Sequence, residues 1–121
     1  MAHEMYMRDD GILSIALEGD MDQDEAKSFS TDLQPFLASA SDENPLYVLA
    51  RRKAPGRYRP AARKVFSELN SYPQLSKVAI VNPSRYGRVL IGFIVKASGR
   101  DNVRFFPTED EALAWLNAGR M

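Results

Sequence analysis

The chain has 121 residues, of which 45% are hydrophobic and 26% are charged, and it contains no cysteine. A chain of this length buries roughly two-thirds of the surface that its unfolded form exposes, so it can build one core without disulfides or a structural metal. The composition excludes the disordered classes, and the lack of cysteine excludes disulfides and thiolate chemistry. We therefore expect a single domain over residues 1–121.

The sequence shows no targeting or membrane-spanning segment. The first residues have neither the basic nor the apolar stretch of a secretory signal, which predicts a cytoplasmic protein. The longest apolar run, Val89 to Val95, is far shorter than the ~20 residues that a helix needs to cross a bilayer. We expect no membrane span.

The formal net charge is zero, but the acidic and basic residues are separated along the chain. Residues 1–50 carry 2 basic and 11 acidic side chains, whereas residues 51–104 carry 13 basic and 2 acidic ones. Seven of the basic residues fall between Arg51 and Lys64, where there is no acid. Two explanations stay open: this segment binds an anionic partner, or it balances the acidic first helix within the fold. The acidic remainder would repel a long polyanion, so we expect no nucleic-acid partner.

Hydrophobic periodicity predicts strands and helices in the order ββαβαβαβα. The predicted elements are strands over 5–8 and 12–18, a helix over 22–41, a strand over 46–50, a loop over 51–59, a helix from 60 to before 72, a strand over 77–81, a helix over 85–98, a strand over 103–106 and a helix after 108. The Asp9-Asp10-Gly11 turn predicts an N-terminal hairpin, and Asp22 and Thr108 begin capping boxes. This pattern predicts an α/β fold with a mainly parallel sheet, right-handed crossovers and one antiparallel strand. Trp115 is expected to pack into the core.

The predicted helix over 85–98 is apolar on nearly all sides between Val89 and Val95. A helix of this kind is usually buried in the core. The alternative is that a lipid or a second subunit covers part of its surface.

The residues offer little material for catalysis or metal binding. His3 is the only histidine and lies in a terminus that is expected to fray, so a nucleophile-base triad and a histidine-based metal site are not expected. The acids from Asp20 to Glu25 do not form an EF-hand loop, because Glu25 and Thr31 stand where glycine and glutamate are required. We expect these acids to cap the first helix, and we expect no enzyme activity, metal or cofactor.

Several segments resemble a known family. They are the order of elements, the Leu17-Glu18-Gly19-Asp20 entry into an acidic helix, the strand from Lys77 to Val81, and Phe105-Phe106-Pro107-Thr108 followed by Glu111 to Leu116. Together they resemble STAS-like domains of the anti-sigma-factor-antagonist superfamily, in the SpoIIAA-like branch that is related to lipid-binding CRAL-TRIO domains. The resemblance covers nearly the whole chain and implies a STAS-like fold with a regulatory role.

One property of that superfamily is not expected here. Anti-sigma-factor antagonists carry a phosphorylatable Ser or Thr after the third strand, at the start of the next helix. The corresponding residues 51–60 contain no Ser, no Thr and no acid. We therefore expect no phosphorylation switch at this site.

The sequence predicts a non-catalytic regulatory or ligand-binding STAS-like domain that forms a homodimer and binds a lipid or another anionic apolar ligand. The candidate ligand-binding residues are Arg57, Tyr58, Arg59, Arg63 and Phe93. The alternative is a protein-protein interaction module that acts through self-association or an acidic protein partner, without a small ligand.

Overall fold

The computed structural model describes residues 3–54, 59–81 and 85–118. Within this part of the chain the elements follow the predicted order. They are β1 (His3–Met7), β2 (Leu13–Glu18), α1 (Gln23–Ser39), β3 (Leu46–Ala54), α2 (Pro60–Asn70), β4 (Leu75–Val81), α3 (Arg85–Ser98), β5 (Val103–Phe106) and α4 (Glu109–Ala118).

The strands form one sheet in the order β1-β2-β3-β4-β5. β1 pairs antiparallel with β2, and every other pair is parallel. The α/β fold with one antiparallel strand is therefore confirmed.

Local chemistry explains where several elements begin. The hairpin turn places Gly11 at φ 82°, which favours glycine, and the Ile12 N–H donates to Asp10 Oδ1 at 3.1 Å. Asp22 caps α1, because its Oδ1 accepts from the Glu25 N–H at 2.9 Å. At the start of α4, the Glu111 N–H donates in the same way to the hydroxyl of Thr108 at 3.3 Å.

The two faces of the sheet have separate cores. On one face α1, α2 and α3 pack against the strands through residues such as Phe29, Phe66 and Ile94. On the other face Leu116 and Ala112 of α4 pack against β3 and β4. Alternation along each strand assigns successive side chains to opposite faces.

The predicted loop over 51–59 is wrong at its start. β3 continues to Ala54, because Arg51 pairs with Ala16 of β2 and Arg52 pairs with Leu17. Residues 55–58 lie outside the described part of the chain. Backbone pairing with a neighbouring strand thus extends β3 beyond the apolar run that indicated it.

The expectation that His3 frays is also wrong. His3 lies in β1 with 3% of its surface exposed, and its Nε2 lies 2.6 Å from Asp32 Oδ2 of α1. The ring packs edge-on against Phe29, with 5.3 Å between ring centroids. A buried histidine must find polar partners, and α1 supplies one.

Candidate binding surface on helices two and three

Three of the five predicted site residues lie in the described part of the chain, and Arg57 and Tyr58 lie outside it. Arg59 is the exposed residue that precedes α2, and Arg63 follows one turn later. Phe93 lies on the neighbouring helix α3, and the Arg63 guanidinium carbon is 5.7 Å from its ring centroid. The fold therefore brings a cation and an aromatic ring together from positions 30 residues apart in sequence.

The side of α3 that faces α2 is only partly covered. Ile91 and Ile94 are buried in the core, each with 6% exposure, whereas Val89 is 60% exposed and Phe93 is 42% exposed. The prediction that this helix is buried in the core is therefore wrong for Val89 and Phe93. Two neighbouring exposed apolar side chains beside several cations are the kind of patch that marks an interaction site.

A groove of about 520 Å³ runs between α2 and α3. Its walls combine Lys64 and Glu68 of α2 with Phe93 and Ala97 of α3. We refer to Arg59, Arg63, Lys64, Val89 and Phe93 as the α2–α3 surface.

Direct ion pairs between this surface and the first turn of α1 are absent from the described part of the chain. Among the residues described, no ion pair within 4 Å joins Asp24 or Glu25 of the first turn of α1 to Arg63 or Lys64. α1 nevertheless packs against α2, as internal charge matching requires, so both explanations left open by the sequence still stand.

Arg51, by contrast, is used within the fold. Its Nη1 donates to Glu109 Oε1 at 2.8 Å, and its Nη2 donates to Ser14 Oγ at 3.1 Å. These partners lie on the face of the sheet that carries α4. The acid-free segment between Arg51 and Lys64 is thus divided between opposite faces and does not form one basic surface.

A polar cluster around Arg51 was not anticipated from the sequence. Tyr6 lies beside it, 57% exposed, and hydrogen bonds from Ser14 and Arg51 lower the pKa of its phenol. The cluster borders a depression of about 630 Å³ that Glu109 also lines. Its members are far apart in sequence and carry no shared motif, so only the strand register brings them together.

An apolar cavity of about 90 Å³ lies between the sheet and the three-helix layer. Its walls include Phe29, Phe66 and Ile94, but not Phe93. Pockets that enclose drug-sized ligands hold roughly 300–1,000 Å³, so this cavity is too small to enclose an acyl chain. In the described part of the chain, the interior beside α3 therefore holds a small apolar cavity in place of the predicted ligand site.

Residues 3–54, 59–81 and 85–118 contain neither a candidate metal site nor a helix that could span a membrane. No three His, Cys, Asp or Glu side chains in these ranges are grouped so that they could hold a metal ion. None of the helices in the same ranges combines the length and hydrophobicity that crossing a bilayer requires.

The sheet order and the helix layers described above define the fold class of STAS-like domains. The SpoIIAA-like family matches residues 12–117, and the chain belongs to this family. A crystal structure of an uncharacterised protein of the DUF3478 family from Shewanella loihica PV-4, with a SpoIIAA-like fold, is similar at a TM-score of 0.70 and 17% identity. The match covers 95% of this chain and 94% of that one. No curated protein matches the chain.

Domains of the SpoIIAA-like family are generally non-enzymatic. At 17% identity, the structural similarity shows the fold alone. A binding role has to be argued from the residues of this chain.

Proposed function

We propose that this chain is a non-catalytic regulatory domain that binds an anionic, partly apolar ligand on its α2–α3 surface, and that the ligand is an anionic lipid. The observation that carries the proposal is the contact between Arg63 and Phe93. A guanidinium that lies beside a 42% exposed ring presents charge and apolar area at one place. A lipid phosphate ester is complementary to both, because it carries negative charge next to apolar chains.

The charges of the surface support an anionic ligand. Arg59, which precedes α2, and Lys64, which follows Arg63 on the helix, are both exposed. Arginine binds phosphate through two parallel hydrogen bonds, and Arg63 makes no hydrogen bond or ion pair with a described side chain that would compete. Each basic residue close to an anionic membrane surface contributes about 1 kcal/mol to binding.

The apolar residues support contact with the acyl region at the surface of a bilayer. Val89 and Phe93 are exposed one helical turn apart, so both can enter the same interface. The internal cavity of about 90 Å³ cannot take up the chain, so the lipid stays in its bilayer while the domain docks on it.

Flotation with vesicles tests this proposal. The protein is incubated with phosphatidylglycerol vesicles or with phosphatidylcholine vesicles over a salt series. We expect binding to the anionic vesicles that weakens with salt, because exposed charges are screened beyond about 10 Å at 0.1 M. The Arg59→Glu/Arg63→Glu variant should bind more than about tenfold more weakly at low salt. Phe93→Ser should weaken binding at every salt concentration.

Two controls make the result specific. Lys64→Glu and Lys27→Glu change the same charge on exposed positions of different helices, and only Lys64→Glu should weaken binding. Circular dichroism confirms that each variant is folded. Equal flotation of the wild type and the double Glu variant, or no flotation with anionic vesicles, would show the proposal to be wrong.

A second copy of the chain is the second candidate for the same surface. The observation that favours it is the exposure of Val89 and Phe93, which a homodimer would bury, while Asp24 and Glu25 of the partner copy could face the cations. Sedimentation equilibrium distinguishes the two. If the wild type is a dimer and Phe93→Ser is a monomer, the surface serves self-association.

A further inference from the structure

The outer edge of the sheet at β5 has backbone groups that point away from the fold. Val78 is the register partner of Val103, and the Val78 N–H donates to the Asn102 carbonyl at 2.9 Å. In a parallel pair of strands, the N–H and C=O of one residue point to the same side, and successive residues alternate between the two sides. The backbone groups of Arg104 therefore point to β4, whereas those of Val103 and Phe105 point to the open edge. Val103 is 5% exposed and Phe105 is 45% exposed, so a partner chain can reach the N–H and C=O of Phe105.

This edge is short, at four residues, and carries one charged side chain, but it has two features that permit strand addition. The register between β4 and β5 runs without a bulge from Val103 to Phe106, and the strand contains no proline. No described residue forms a hydrogen bond with the outward N–H or C=O of Phe105. An edge in this state is a template for another extended chain.

A groove of about 480 Å³ runs along the edge between α3 and β5, mostly between apolar walls. Gly92 lies in its wall, and a Cβ at this position would have nothing within 4 Å. Arg88 and Lys96 are one helical turn on either side of Gly92, so all three share one side of α3. We refer to this feature as the edge groove.

The charges around the edge groove select the occupant. The Arg88 guanidinium carbon lies 4.7 Å from the Phe105 ring centroid, and Lys96 and Arg104 line the groove together with a single acid, Asp101, which is 3.9 Å from Arg104. Pairing of two copies through β5 would bring these cations together around a twofold axis. An acidic segment of another protein has the complementary charge.

We propose that the edge groove binds an extended, acidic peptide segment of another protein. The segment pairs with β5 through the backbone of Phe105, and its apolar side chains enter the space beside Gly92. Its carboxylates alternate to the opposite side of the sheet and face Arg104. Arg88 and Lys96 add positive charge around the groove. Main-chain hydrogen bonds supply affinity and the alternate side chains supply selectivity. This surface is separate from the α2–α3 surface, so the vesicle experiment does not bear on it.

Amide chemical shifts of the ¹⁵N-labelled chain provide the test. The probe is a seven-residue peptide that alternates glutamate and valine, capped at both ends. We expect titration up to about 1 mM to shift the amides of Phe105 and Gly92. A peptide with lysine in place of glutamate should not bind, and neither should the acidic peptide with N-methylated valines, because it cannot pair with the strand.

Two substitutions at one position separate groove occupancy from folding. Gly92→Ala and Gly92→Leu both replace a helical glycine with a better helix former, so both should remain folded. Gly92→Ala should still bind the acidic peptide, and Gly92→Leu should bind at least about tenfold more weakly, because its side chain fills the groove. Absence of shifts at Phe105 up to about 1 mM peptide, equal binding of the lysine peptide, or unchanged binding by Gly92→Leu would overturn the proposal.

Discussion

The two faces of the sheet are covered in different ways. Three helices cover one face and enclose a cavity of about 90 Å³. On the other face α4 contacts β3, β4 and β5, and the Arg51 side chain lies over β2, held by Ser14 and Glu109. A single helix is about 10 Å wide and cannot cover five strands spaced about 4.8 Å apart. The difference shows that on the α4 face part of β2 is covered by a bonded arginine side chain and not by a helix.

The α4 face should be the more sensitive to loss of core volume, because one helix holds it. Leu116 is completely buried, and its replacement by alanine is expected to lower the free energy of unfolding by about 2–5 kcal/mol. Urea denaturation measures the effect. Leu113→Ala on the same helix is the control and should cost less, because Leu113 is only partly buried. Equal losses would mean that α4 does not pack in this orientation.

Trp115 should contribute less than Leu116 to the free energy of unfolding, although Trp115 is the larger side chain. The sequence predicts that it packs into the core, but the ring is only partly buried, with Lys77 Nζ 4.7 Å and the Arg104 guanidinium carbon 5.4 Å from its centroid. We expect Trp115→Ala to cost about 1–3 kcal/mol, a combination of lost partial burial and lost cation–π contact. Urea denaturation followed by circular dichroism gives the value. A loss above that of Leu116→Ala would contradict this ranking.

Enlarging a buried alanine should lower stability on the α4 face and raise it on the face covered by three helices. Ala79 is completely buried under α4, so Ala79→Val is expected to overpack and destabilise by about 1–3 kcal/mol. Ala50 lines the cavity on the opposite face, and Ala50→Val should stabilise by about 0.5–1 kcal/mol because the added methyl groups enter empty space. Thermal unfolding of the two variants compares them directly. Destabilisation by both would show that the cavity cannot accept a methyl group.

The polar cluster around Arg51 should be detectable in the titration of the Tyr6 phenol. Hydrogen bonds from Ser14 and Arg51 lower the pKa of Tyr6, so Arg51→Ala should make this phenol titrate at a higher pH. Ultraviolet absorbance measures the shift, and the difference from Tyr6→Phe assigns it. A lowered pKa in the folded state adds stability as pH rises through the folded pKa, and the gain is complete above the unfolded pKa of about 10, so stability at neutral pH should not depend on it. An unchanged titration in Arg51→Ala would contradict the cluster.

Much of the fold could be read from the sequence. The element order, the N-caps at Asp22 and Thr108 and the single antiparallel strand all follow from interactions within a few residues, and the structure has them. The STAS-like resemblance is confirmed by the family match over residues 12–117. Hydrophobic period and cap chemistry are local signals, which is why these features were accessible.

The candidate sites needed the tertiary structure. Helical spacing could not decide which apolar residues of α3 face the core, because nearly every position from 89 to 95 is apolar; packing buries Ile91 and Ile94 and leaves Val89 and Phe93 exposed. The basic segment looked continuous, yet pairing with β2 places Arg51 on the α4 face while Arg63 joins Phe93. Local sequence sets what each segment can become, whereas exposure and partners depend on contacts between residues far apart in the chain.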